Sequence, residues 1–398
     1  MTRRAVVTGW GAVGPHGSGA DALARAFAEG KPLARAIDRS EGFHDDAGSR
    51  LAASVGNTDL AAWLPPAQAR RLGKPSRWAV AASRIALEEA GIRDLSGRRV
   101  AVFLATAFGA VLFTEKLVRQ LLDEGPEAAQ PFYFSECVAN AAAGQVAIAL
   151  GAYGANVTVT QREAGPLIAL AQGAHEIVEG RADVAVVGSA DEMTPLLHAI
   201  LDRYRATCRG EEESPRPFDR DRDGMLAGEG ATMLVLERES DAIRRGGRPL
   251  ARIAAAASGF DPTATMSDWG DGSAGLGRRL SVMLERAGSI DAVVSGASGT
   301  RRGDRLEALV LRTAWGSEPL PPVLVPKAVV GEYAGGVLSG SILALAGAAF
   351  GPVTGFRTRD PELLIEPYDG SPRPRPERIV ASSLAAGGAA AWAVLERA

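Results

Sequence analysis

Short apolar runs recur along the chain at residues 4–8, 99–104, 157–160, 183–187 and 231–236, and again at 291–294, 323–325, 378–382 and 391–395. Each is four to six residues long or nearly so, rich in Val and Ala, and apolar without alternation. That pattern predicts strands buried on both faces. Between them lie Ala-rich amphipathic stretches, at 77–90, 166–180 and 305–315, that predict helices. Strand–helix alternation around buried sheets defines an α/β fold. Residues 335–353 (GGVLSGSILALAGAAFGPV) run 19 positions without a charge. The Gly, Ala and Ser content and Pro352 predict a closely packed buried helix there, not a lipid-facing span.

The pattern also repeats. Gly228 to Arg238 reads GEGATMLVLER and Gly387 to Arg397 reads GGAAAWAVLER, a Gly-rich turn entering a strand that ends Val-Leu-Glu-Arg in both. The echo predicts duplication of one unit, with a split in the polar connection 239–250, giving halves 1–240 and 241–398.

Composition narrows the function classes. The 398 residues carry 44 basic and 47 acidic side chains, a net charge of −3, so no electrostatic footprint for nucleic acid or an anionic membrane is present. Two cysteines, Cys137 and Cys208, make neither a disulfide framework nor a cysteine zinc site, and a reducing cytoplasmic setting is expected. The start, Met1-Thr2-Arg3-Arg4, is followed by too few apolar residues for a secretory segment. Four histidines (His16, His44, His175, His198) leave little for metal chemistry; no metal and no cofactor is expected. His175 and His198 lie on Ala/Leu-rich helices and read as structural, and Cys137 reads as core.

Two motifs invite sharper readings. Gly9-Trp-Gly11-Ala-Val-Gly14 fits a dinucleotide fingerprint, but Pro15 to Gly19 intervene before a helix begins near Ala20, and no strand ending in an acid follows at the required distance. Asp219-Arg-Asp221-Arg-Asp223-Gly224 resembles the start of a calcium loop, yet position 12 is Gly230 and Glu229 falls one residue short. A structural loop of paired charges fits it better. Cys208, in RATCRGEEE, has no histidine close in sequence to activate it.

Taken together, the segments resemble the β-ketoacyl synthase family. RRAVVTGWGAVGPHG is similar to that family's first strand and turn. Residues 216–237 (RPFDRDRDGMLAGEGATMLVLE) resemble its most recognisable signature, 180–193 (GRADVAVVGSADEM) the segment after the nucleophile helix, and 131–148 its dimer-interface region, with Asn140 and Gly144 at matching places. The resemblance implies a thiolase-like duplicated α-β-α-β-α five-layered fold. It also implies a cysteine nucleophile at a helix N-terminus, where the dipole favours thiolate, and two histidines that stabilise the developing oxyanion.

None of the three is present. Counting back from Gly180, the cysteine position holds Glu163. In the segment matching HGTxT…GD, SGASGTRRGD, Ser298 stands for the first histidine, with Gly296 an open alternative. In the segment matching KxxxGH, Glu332 takes the second histidine's place and Lys327 is retained. Leu384 and Ala386 occupy bulky positions of the C-terminal gate. A carboxylate is a poor nucleophile toward a thioester, and loss of both imidazoles disfavours decarboxylation as well. A packed polar cluster, with Lys327 and Arg162 as partners for Glu163, is expected in place of an open active site.

The resemblance then implies a chain length factor, the β-subunit of a type II polyketide synthase, and Glu163 in place of the usual glutamine fits a reducing, polyene-type system. Such a subunit has no acyltransferase activity alone and heterodimerises with an active ketosynthase α-subunit. It meets an acyl carrier protein mainly through that partner. The acyl-chain tunnel would be capped from residues 105–117, where a helix would set Phe108 and Leu112 on one face beside Val111, with Phe113 flanking and Tyr133 reaching across the interface. Other readings are a homodimeric acyl-thioester enzyme using Glu163 and Glu332 as an acid/base pair, a dinucleotide enzyme, and a stand-alone carrier-protein binder.

Overall fold

The computed structural model describes residues 4–210 and 212–398. Among the described residues its main sheet has 11 strands, ten in one continuous order and the two-residue strand Gly17–Ser18 paired beside the first. The first five of the ten are β1 (Ala5–Gly14), β2 (Val100–Ala105), β3 (Asn156–Val159), β4 (Val184–Asp191) and β5 (Gly230–Arg238). The next five are β6 (Ala251–Phe260), β7 (Ala292–Ser295), β8 (Val323–Leu324), β9 (Arg378–Leu384) and β10 (Ala389–Arg397). The first set runs in the order β3-β2-β4-β5-β1 and the second in the order β8-β7-β9-β10-β6, the same permutation. Directions match too. β2 is parallel to β3 and β4, as β7 is to β8 and β9. β5 is antiparallel to β1 and β4, as β10 is to β6 and β9. The echoed segments are thus the fifth strands of two equivalent sets. The sets join in one sheet through β1 and β6, over Val6↔Arg252 and Val7↔Ala251.

Helices cover both faces of each set. Leu167, Leu170 and Ile177 of the Gly165–Glu179 helix and Val337, Leu338 and Ile342 of the Gly336–Ala346 helix share one core with both sets of strands. They form the middle layer. The Lys74–Glu89 and Ala141–Leu150 helices close the outer face of the first set, and the Ser273–Ala287 and Arg301–Trp315 helices that of the second. The strands read as continuous apolar runs for this reason: in β4, Ala185 and Val187 face the middle layer while Val184 and Val186 face the outer helices. The architecture is α-β-α-β-α, the duplicated five-layered α/β fold.

The glycine motif near the N-terminus lies wholly inside β1. A Cβ on Gly9 would stand 2.1 Å from the Ala86 carbonyl oxygen, and one on Gly11 2.3 Å from that of Ala82. These glycines let the Lys74–Glu89 helix lie directly on the strand; they form no phosphate-binding turn. β6 escaped the sequence pattern because ARIAAAASGF offers alanine to both faces and no apolar contrast. Residues 336–345 are buried throughout, as the charge-free stretch predicts. Among the described residues no helix is long and apolar enough to cross a membrane.

Candidate functional site

Glu163 sits in a single 3-10 turn, Arg162–Ala164, that delivers the chain from β3 to the N-terminus of the Gly165–Glu179 helix. The entry is tight. Arg162 has φ 45°, a left-handed conformation that costs a non-glycine residue. A side chain at Gly165 would press on Ala105, its Cβ 2.9 Å away. Ser383 of β9 donates from its hydroxyl to the Glu163 carbonyl oxygen at 2.7 Å, so the second strand set pins the turn. The Glu163 carboxyl lacks a hydrogen bond at Oε2. Burial, and then the charge of Glu332, push it up to about 7 against the pull of Lys327.

Lys327 opens the short Lys327–Val330 helix and is fully buried. Its Nζ lies 2.5 Å from Oε1 of Glu332. Burial alone would lower the Lys327 pKa, but Glu332 and Glu163 beside it outweigh that and hold it above the ordinary lysine value. Glu332 is fixed by its backbone, whose N–H donates to the Leu226 carbonyl at 2.7 Å.

Ser298 follows β7 in a loop clamped by Asp304. The Ser298 N–H donates to Asp304 Oδ1 at 3.1 Å, and the Phe218 N–H to Oδ2 at 2.9 Å. Burial raises Asp304 to about 6 in spite of these bonds. The signature block at 216–237 works the same way. Asp219 accepts from the backbone N–H groups of Arg357 and Thr358, and Arg222 pairs with Asp360 at 2.7 Å. Its acids tie loops around the site, and among the described residues no group of His, Cys, Asp or Glu is placed to hold a metal.

Glu163, Ser298 and Glu332 line one cavity of about 280 Å³, together with Phe108 and Ala386. Gly296 does not line it and packs against Ser383. The expected filled polar cluster is therefore corrected. Lys327 and Glu332 do pack as a pair, but they form one wall of an open space. The reason lies in side-chain size: Ala386 presents only a methyl group to the lining, while Leu384 turns into the core. Sequence reasoning missed two further carboxyl groups on the cavity, Asp191 and Glu192. Their only signal is an acidic pair at the end of an otherwise apolar strand.

The tunnel residues separate. The helix expected to carry Phe108 begins only at Val111, because Gly109 (φ 71°) and Ala110 (φ −86°, ψ 80°) break the chain before it. Phe108 therefore lies in a loop, 44% exposed, and shares no helical face with Leu112. Val111 packs toward Met193 and Leu197. Leu112 uses its N–H to bond Glu192 at 2.8 Å. Phe113 is buried edge-on against Phe132 and Tyr133, at 5.4 and 5.8 Å between centroids. Of the five, Phe108 alone reaches the cavity.

No cysteine or histidine lines the cavity. Cys208 is buried and pushed up to about 12, a thiol at any ordinary pH. Cys137 is only partly buried, at the end of the Pro131–Cys137 helix, and not a core residue, since its helix lies on the outer surface. His198 is buried beside His44, with Nδ1 and Nε2 at 2.9 Å, while His175 is exposed. What the arrangement offers is a polar end built from carboxyl groups and one buried lysine, without a thiolate or an imidazole.

Comparison with known proteins accords with this framework. Residues 2–242 match the family described as β-ketoacyl synthase, N-terminal domain. A polyketide β-ketoacyl synthase of Streptomyces cyaneus is 32% identical, over 94% of this chain and 93% of its own. A 3-oxoacyl-[acyl-carrier-protein] synthase 2 of a Synechocystis strain is 30% identical, over 93% of this chain and 92% of its own. Among solved structures, the ishigamide ketosynthase/chain length factor superposes over the whole of both chains with a TM-score of 0.90 at 26% identity. This chain belongs to the β-ketoacyl synthase family.

Proposed function

We propose that the chain is a chain length factor: a ketosynthase-like subunit of a type II polyketide synthase that performs no condensation itself and shapes the acyl-chain space of an active ketosynthase partner. The observation that carries this reading is the coincidence on one cavity of Glu163, Ser298 and Glu332, three residues in segments that resemble those carrying the family's cysteine and histidines. Without a thiolate there is no acyl-enzyme, and without imidazoles an enolate has no matched donors. The likeness to a ketosynthase/chain length factor and to polyketide synthases supports the class. A surface of exposed apolar side chains supports a subunit that works in a pair: Leu122 is 78% exposed, Phe134 64%, Ile148 74% and Tyr153 97%, on or next to three consecutive helices between residues 111 and 150. Acyl carrier protein would then meet the complex mainly through the active partner.

The test is expression with and without a ketosynthase that retains cysteine and both histidines. A 1:1 complex that makes polyketide, whose activity vanishes when the partner's cysteine is replaced but persists in Glu163→Gln of this chain, is expected. The open cavity and the Glu163 carboxyl near 7 favour a second reading, acid/base chemistry on an acyl thioester by Glu163 and Glu332 in a homodimer. Turnover by the purified chain alone, lost in Glu163→Gln, would select it over the first.

A further inference from the structure

Four carboxyl groups line the cavity: Glu163, Glu332, Asp191 and Glu192. Glu332 has Lys327. The other three have unmet bonding capacity. Asp191 and Glu192 are only 4% and 1% exposed. Asp191 accepts through Oδ1 from the Ala107 N–H (2.6 Å) and the Thr106 hydroxyl (3.1 Å), and Glu192 accepts through Oε1 from the Leu112 N–H (2.8 Å). Asp191 Oδ2, Glu192 Oε2 and Glu163 Oε2 are each buried without a well-formed hydrogen bond, although the backbone N–H groups of Ala334 and Val111 lie near Asp191 and Glu192. Buried carboxyl oxygens left unpaired are costly, and such groups ordinarily recruit a donor or a cation.

Cations in the surroundings are few. Arg162 lines the cavity, Lys327 lies behind Glu332, and Lys74 reaches Glu229, next to Glu192, at 3.8 Å. Asp191 and Glu192 have no ion-pair partner among the described residues. The remaining wall is apolar or aromatic: Met193, Leu197, Ile200, Leu201, Tyr204 and Trp269. A bare metal ion matches neither that wall nor the donor set, since no metal-binding group exists among the described residues. A ligand with a cationic, hydrogen-donating head and a short apolar tail matches both ends.

We propose that this cavity is a binding site for an amphipathic organic monocation, a primary ammonium carried on a short alkyl or aryl chain. The ammonium, with three donors and no acceptor, answers the unpaired oxygens of Asp191, Glu192 and Glu163. The tail lies along Leu197, Ile200 and Leu201. Burial raises Glu163 and Glu192 to about 7 and Asp191 above its ordinary value, so the empty cavity disfavours their ionised forms. An arriving ammonium favours their ionised forms, and its binding releases protons. The site goes beyond the chain-length role and does not depend on it.

Titration of the full chain, alone or in complex with its ketosynthase, with hexylamine, 1-hexanol and hexanoate tests the proposal by calorimetry. Hexylamine is expected to bind about tenfold tighter than 1-hexanol, with hexanoate weakest. Hexylamine affinity should rise with pH across neutrality, with proton release read from buffers of different ionisation heat, while hexanol affinity stays flat. Equal affinity for hexylamine and hexanol, or tighter binding of hexanoate, would overturn it. Glu192→Gln and Asp191→Asn should each weaken hexylamine and spare hexanol. Unchanged hexylamine affinity in both folded variants places the amine elsewhere and also overturns the proposal. Since the wild-type ligand series needs no variant, a folding defect in either one leaves the test intact.

Discussion

A lysine with no exposed surface survives folding only if its charge is met, and Lys327 is met by Glu332 and, farther off, Glu163. Taking away one member of a buried ion pair strands the other. Lys327→Met is therefore expected to destabilise the chain by about 3–5 kcal/mol, whereas Lys327→Met combined with Glu332→Leu should recover most of that loss. Denaturant unfolding of the single and double variants checks this, and equal losses in both would argue that the pair is not what holds this wall. Glu307 makes a second case with a definite sign. It is buried, accepts from the Ser295 hydroxyl at 2.8 Å, and is raised from 4.5 to about 7, chiefly by burial. Between those values the folded chain keeps a proton that the unfolded chain has released, so stability is greatest below this window and falls as pH rises through it. Glu307→Gln keeps the acceptor oxygen and removes the titration. Its stability should change less than that of the wild type between about pH 5 and about pH 8, by an amount on the order of 1–3 kcal/mol. Coincident pH profiles would refute the assignment. At this scale the sequence singled out Glu163, Ser298 and Glu332 because they fall in segments whose neighbours keep their pattern, and the fold brings the three to one cavity. Asp191 and Glu192 were not singled out: nothing local says that a strand end will face an empty space.

At the scale of elements, glycine placement separates packing from propensity. Gly11 of β1 has the Ala82 carbonyl 2.3 Å from where a Cβ would stand, and rigid helix backbone cannot yield cheaply. Gly275, in the first turn of the Ser273–Ala287 helix, has nothing within 4 Å. Gly11→Ala should destabilise by about 1–3 kcal/mol, and Gly275→Ala should stabilise by about 0.5–1 kcal/mol. Thermal unfolding of the two variants in one buffer reads the contrast, and shifts of the same sign would show that the strand–helix contact is looser than its geometry. Most elements could be read from the apolar runs because strands such as β4 bury both faces and need no alternation. Two failures have physical causes. β6 is alanine on either face, so its pairing with β10 and β1, not its own sequence, makes it a strand. The segment 105–110 is apolar enough for a helix, but Gly109 turns to positive φ and delays the helix to Val111, which moves Phe108 off the face it was expected to share with Leu112.

For the whole molecule, the same strand permutation occurs twice, and the candidate site is built from segments of both sets. Glu163 enters from the first set, while Ser298, Glu332 and Ala386 enter from the second. A cavity assembled from such distant segments has a volume that no local pattern encodes, and this is why a filled cluster was expected where about 280 Å³ stands open. Within the chain-length reading, residues that bound this space, or its continuation toward the partner, should set product length. Phe108 is the strongest candidate, since it lines the cavity and leads directly into the Val111–Asp123 helix, whose exposed Val118, Leu121 and Leu122 belong to the apolar surface. With 44% of its surface exposed and a loop backbone, its truncation should cost the isolated chain less than about 0.5 kcal/mol. Phe108→Ala, co-expressed with the ketosynthase, is then expected to shift products toward longer chains by about one extension unit at unchanged complex yield. Phe113→Ala should instead lower yield, because that ring is buried against Phe132 and Tyr133 and does not border the cavity. Mass analysis of the released acids separates the two effects. If Phe108→Ala leaves the length distribution untouched while Leu112→Ala or Tyr133→Ala lengthens it, the space that measures the chain lies on the partner-facing side of the helix and not in this cavity.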